Sequence, residues 1–183
     1  MANIKIISGM AMGWDMAIAR ACVKIGVPWI AAVPFKDQER TWAPATQEKY
    51  RELLGLSERV EVVNPGYWSV RKFLLRNEWM VDQVRNGVDI FAATGHRPGS
   101  LGGFQKVLLD GLNRFAIGVV QGLLDEMAEP GGAGTGGQVG SMLTLWNGKT
   151  EGGTATCVDY AQQHGVEVCN YWPQWIEWLR EKR

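Results

Sequence analysis

Six times along the chain a short apolar run precedes a stretch with helical spacing, and few folds accommodate that alternation. "IKIISG" (Ile4–Gly9) reads as a buried strand, followed by a helix over Trp14–Ile25. "PWIAAVPF" (Pro28–Phe35) is the next strand, and a polar segment then leads into a helix through Tyr50 and Leu54. "RVEVVN" (Arg59–Asn64) precedes a helix over Ser69–Val84, and "VDIFAATG" (Val88–Gly95) precedes a helical stripe over Gln105–Met127. "SMLTLW" and a helix over Thr154–His164 follow, then "VEVCNYW" and a closing helix over Gln174–Glu181. Strands that alternate with helices in this way predict one α/β domain over residues 1–183. The expected architecture is a Rossmann-like, doubly wound, mainly parallel sheet of about six strands with helices on both faces. Ligands of such sheets bind beyond the carboxyl ends of the strands.

Charge and cysteine content narrow the function. The 183 residues carry 19 basic and 19 acidic side chains, so the chain lacks the basic excess of a general phosphate-backbone binder. A nucleic-acid partner is therefore disfavoured. The longest apolar runs are strand-length, which argues against a membrane partner. Cys22, Cys157 and Cys169 are odd in number and form no C-x-x-C pair, so they read as reduced cytoplasmic thiols. Neither a metal site nor a cofactor is expected. Nine tryptophans read as core and interface packing. Trp175 and Trp178 share one face of the last helix, where packing is the default and a homo-oligomer contact the sharper alternative.

Three strand ends carry residues suited to an anionic ligand. In "SGMAMGWD", Gly9 and Gly13 let the backbone approach a ligand, and Asp15 could cap the helix or meet a ribose hydroxyl. In "TGHRPGSLGG", Thr94 and Gly95 close a strand, and His96 and Arg97 would project from its carboxyl end. In "WNGKTEGGTATC", "GKT" suggests a P-loop, but Leu143 stands where that motif needs glycine. Gly152, Gly153 and Thr154, opening a helix, still form a phosphate cradle.

Together "SGMAMGWDMAIARA", "IAAVPFKDQERTW", "RNEWMVD", "TGHRP…LGG" and "LWNGKTEGGTATCVDYA" resemble the SLOG superfamily, and most of all its YpsA/YspA-like branch. The LOG phosphoribohydrolases and the DNA-processing protein DprA are more distant relatives. The resemblance implies a Rossmann-like domain that binds a nucleotide or nucleotide-derived small molecule. Carried over by position, its ligand residues are Ser8, Gly9, Gly13, Asp15, Thr94, Gly95, His96, Arg97, Gly152, Gly153 and Thr154. Arg76, Asn77 and Glu78 are weaker candidates. One alternative is an N-glycosidase of nucleoside monophosphates, for which Glu78, Asp15 and Glu151 are the available carboxylates, with Glu78 the catalytic candidate. A DprA-like single-strand DNA binder is another.

The order of the motifs departs from that branch, where the "TGHRP" strand comes first and "SGMA" second. Excising Arg85–Gln138 joins "NEWMVDQV" to "VGSMLTLWNG" in an ordinary helix-to-strand connection. Placing that block ahead of Asn3 restores the usual order. This reads as a non-cyclic rearrangement, engineered more readily than shuffled in nature, and a molecule made to test topology is one further reading. Residues 85–87 and 131–138 would then be connectors around a relocated strand–helix unit, 88–130.

"EPGGAGTGGQVG" (Glu129–Gly140) contains Gly132, Gly134 and Gly137 at dinucleotide-fingerprint spacing, and Pro130–Thr135 resembles the LOG loop. A fingerprint must leave a strand and enter a helix, whereas this run leaves a helix and enters a strand. Six glycines among residues 131–140 suit a flexible linker instead.

Overall fold

Residues 4–87, 90–95, 105–128 and 140–182 are described by the computed structural model. Six parallel strands form one sheet in the order β3-β2-β1-β4-β5-β6. They are β1 (Lys5–Ser8), β2 (Trp29–Val33), β3 (Arg59–Val62), β4 (Ile90–Gly95), β5 (Ser141–Leu145) and β6 (Glu167–Asn170). The intervening helices are α1 (Trp14–Ile25), α2 (Pro44–Leu56), α3 (Val70–Asn86), α4 (Gln105–Ala128) and α5 (Gly153–Gln163), with α6 (Trp172–Glu181) closing the chain. The polar segment before α2 contains a single 3₁₀ turn, Gln38–Thr41.

The sheet is wholly parallel, and its central strands are almost continuously apolar because helices cover both faces. Edge strand β3 instead carries Arg59 and Glu61, which pair at 3.6 Å along its length. Charge on an edge discourages pairing with another chain.

Alternate strand residues divide the core in two. Ile6, Ala31, Ala93 and Leu143 pack with α1, α2, α4 and α6 on one face. Ile7, Ile30, Ala92 and Met142 pack with α3 and α5 on the other. On the first face Trp175 is buried and stacks on Trp178, with ring centroids 5.3 Å apart. Gly111 of α4 makes room for this pair, since a Cβ there would stand 2.8 Å from the Trp178 ring. Trp175 therefore packs inside the molecule against α4, and Trp178 beside it is half-buried. Helix α6 begins two residues before the expected Gln174, with Pro173 in its first turn. Helix α3 runs through Asn86, so two of the three residues expected as a connector are helical and Gly87 is the cap.

One connection differs in hand from the rest. The unit β1–α1–β2 steps towards β3, whereas β4–α4–β5 steps towards β6, yet α1 and α4 lie on the same face. Two such units have opposite hands. The units through α2, α3 and α5 all share the hand of β1–α1–β2. Parallel crossovers are right-handed in about 98% of cases. The unit through α4 is thus the exception.

Candidate functional site

Strands β1 and β4 are neighbours whose following helices step to opposite ends of the sheet, which places the topological switch point between them, although both helices lie on the same face. The turn after β1 is tightly built. The Ser8 hydroxyl donates to the Asp15 carbonyl at 2.8 Å and accepts from the Met10 amide at 3.2 Å. Met10 is held at φ 55°, a left-handed conformation uncommon for a side-chain-bearing residue. The Gln38 side chain donates to its carbonyl at 3.3 Å. Gly13 is the N-cap of α1 at φ 105°, where glycine is favoured.

Asp15 does not cap α1. Its carboxylate is buried and turned across the switch point. One oxygen accepts from the Gly95 amide at 3.0 Å and the other from the Ala11 amide at 3.4 Å. Burial pushes its pKa up to about 6, against the opposing pull of the Arg76 guanidinium and the two amides.

Arg76 enters from α3 on the other side and is also buried. Its Nη1 donates to the Gly9 carbonyl, and its Nε donates to the Asn77 side chain at 2.8 Å. Burial lowers the Arg76 pKa, while Asp15 opposes the shift. The Asn77 amide then donates to the Gly153 carbonyl at 3.2 Å. Two residues of one helix thus tie the β1 turn to the start of α5.

These contacts change the role expected of the glycines. A Cβ on Gly9 would stand 2.7 Å from both the Arg76 Cζ and an Asp15 oxygen. At Gly95 a Cβ would meet the Trp14 side chain at 2.6 Å. A Cβ at either glycine would collide with these protein atoms, and Ser8 and Asp15 are hydrogen-bonded to each other in the same turn. Gly152 differs: it stands at φ 107° with no atom of the described residues within 4 Å of a Cβ position. No side chain among the described residues caps α5, and its first helical bond runs from the Thr156 amide to the Gly152 carbonyl. The amides of Gly153, Thr154 and Ala155 are left without helical acceptors, and the helix dipole adds positive potential there.

Thr94 and Thr144 are register partners on the face covered by α3 and α5, near the same edge. The Thr144 hydroxyl is buried without a hydrogen-bond partner among the described residues. Glu78 is half-buried on α3, and Glu151 is exposed beside Gly152. His96 and Arg97 lie outside the described residues. Burial pushes the Cys22 and Cys157 thiols up to about 12, too high for ready thiolate chemistry. No three His, Cys, Asp or Glu side chains among the described residues are grouped to hold a metal ion.

Arg76 and Asn77 ranked low in the sequence, although their positions held a clue. They fall on the stripe that also carries Met80, Val81 and Val84, all buried. Polar residues on an apolar stripe signal a buried network.

The Asp15 carboxyl should titrate near pH 6 by carbon-detected NMR. Because the folded state then holds its proton more tightly than the unfolded chain, Asp15's contribution to stability is largest below about pH 4 and is lost as pH rises through 6. In Arg76→Gln the midpoint should rise further, since a neighbouring cation has been removed. A midpoint below 4, or one unmoved by Arg76→Gln, would contradict this account of the pair.

No family model matches the chain. It is similar to the uncharacterized SPbeta prophage-derived protein YoqJ of Bacillus subtilis (strain 168), with 31% identity over 106 residues. That match covers 48% of this chain and spans 60% of the relative's length.

Proposed function

We propose that the chain binds a nucleotide or nucleotide-derived ligand at the carboxyl edge, over the ends of β1 and β4. Its phosphate would rest on the amides of Gly153 and Thr154, with the Thr154 hydroxyl as an additional donor. The observation that carries this reading is the start of α5, uncapped by any side chain among the described residues and held beside the switch point by Asn77. Phosphate recognition commonly uses a helix N-terminus at the carboxyl edge of a parallel sheet. Strands β4 and β5, which the "TGHRP" and "EGGT" motifs follow in sequence, both end at the carboxyl edge, which supports the resemblance to the SLOG superfamily.

No reaction is assigned. The observation that favours hydrolysis is the near-neutral pKa of Asp15, a value suited to proton transfer. Both Asp15 oxygens, however, are engaged inward by backbone amides. A thermal-shift screen with AMP, ADP and ADP-ribose should raise the melting midpoint with at least one of them, and AMP should remain uncleaved. Failure of all three to stabilise the protein would contradict nucleotide binding. Release of adenine that Glu78→Ala abolishes would overturn binding without catalysis.

The chain order is part of the same proposal. If β4–α4 preceded β1, the unit would step from β4 to β1 with α4 on its present face, and every crossover would share one hand. The exceptional hand of β4–α4–β5 therefore supports a relocated strand–helix unit. A similarity covering 48% of the chain is compatible with alignment of a reordered sequence over one colinear stretch. The Gly-rich run proposed as a connector, residues 131–138, lies outside the described residues. A chain with residues 85–138 moved ahead of Asn3 should give the same sheet and a melting midpoint at least as high. Failure of that variant to fold would contradict the rearrangement.

A further inference from the structure

Beyond the carboxyl ends of β2 and β3 lies a cleft of about 810 Å³, within the size range of small-molecule sites. It is lined by five aromatic side chains: Phe35, Trp42, Tyr67, Trp68 and Phe73. Phe35 and Phe73 meet edge to face at 5.4 Å, and Trp42 is braced on Tyr50 at 5.2 Å. Tyr67 and Trp68 are 97% and 66% exposed, unusual for large aromatic residues side by side.

Their loop is anchored. Lys72 donates to the carbonyls of Asn64 and Pro65, each at 3.0 Å, and Gly66 turns the chain at φ 103°. The lining carries two exposed cations, Lys36 and Arg40, against one exposed carboxylate, Asp37, and none of the three has a salt-bridge partner among the described residues. Gln38 connects this cleft to the proposed ligand site, because it lines the cleft and bonds the Met10 carbonyl of the β1 turn. A planar heterocycle suits aromatic walls, and a cation strengthens its stacking or meets an attached anion.

We infer that this cleft is the nucleobase subsite, in which the heterocycle stacks against Trp68 and Tyr67 while Lys36 and Arg40 supply positive charge. This rests on the nucleotide reading above and adds where the base lies and what holds it. The ligand would then extend from the aromatic cleft past Met10 towards the start of α5. Small nucleotides are favoured over a nucleic-acid strand because the chain has no net positive charge.

Calorimetric titration with ADP and with inorganic pyrophosphate tests the inference in the parent chain, Trp68→Ala and Tyr67→Ala. Both positions are exposed, so both variants should melt as the parent does. ADP affinity should fall about tenfold in Trp68→Ala, the scale of one lost stacking contact, and to a similar or smaller extent in Tyr67→Ala. Pyrophosphate affinity should stay unchanged. ADP binding that neither substitution weakens would overturn the base subsite while leaving the nucleotide reading intact. Absence of binding by both probes would overturn both. A ten-residue thymidine oligonucleotide that binds more tightly than ADP and depends on Trp68 would assign the cleft to single strands instead.

Discussion

The buried Arg76 guanidinium is the contact on which the carboxyl edge depends. It crosses from α3 to the Gly9 carbonyl and, through Asn77, reaches Gly153 at the start of α5. Asp15 lies on the other side of Gly9 and ties the β1 turn to the end of β4. A buried charge is costly unless its hydrogen bonds are made, so this pair is tolerated only while the surrounding turns keep their shape. The same requirement explains Gly9, whose missing Cβ leaves room for both side chains. The geometry offered to a ligand therefore follows from an internal network of charges.

The second constraint is the order of the connections. Neither face of the sheet records the order in which its strands were joined, because packing depends on which side chains meet. Leu112, Ala116 and Val120 of α4 pack beside α1 whether β4 precedes β1 or follows β3. The hand of the crossover does record that order. Its exception at α4 places a topological irregularity on the same unit where the motif order departs from the resembled branch. The altered connections would lie at the amino edge of the strands, away from the turns at Gly9, Gly95 and Gly152.

Much of the architecture was legible in the sequence. The α1 boundaries, Trp14–Ile25, agree at both ends because Gly13 and Gly26 mark them through positive φ. The central strands were clear from their apolar runs. The roles of the glycines were less legible. Gly9 read as room for a ligand and Gly95 as the close of a strand, whereas a Cβ at Gly9 would meet Arg76 and Asp15 and one at Gly95 would meet Trp14. Those partners lie far away in sequence, and local pattern carries no record of them. Gln38 and Glu39 were likewise hidden, since a polar loop reads as solvated, yet both are buried. Trp68 read as a packing residue until the fold placed it, with Tyr67, at the rim of a cleft.

Phosphate placement at the start of α5 is the central claim, and the amide resonances of Gly153 and Thr154 report it directly. In two-dimensional ¹⁵N NMR, ADP should shift both amides saturably, whereas adenosine, which lacks phosphate, should leave them nearly unmoved. Equal shifts with both compounds, or ADP binding that leaves these two amides unmoved, would contradict the account.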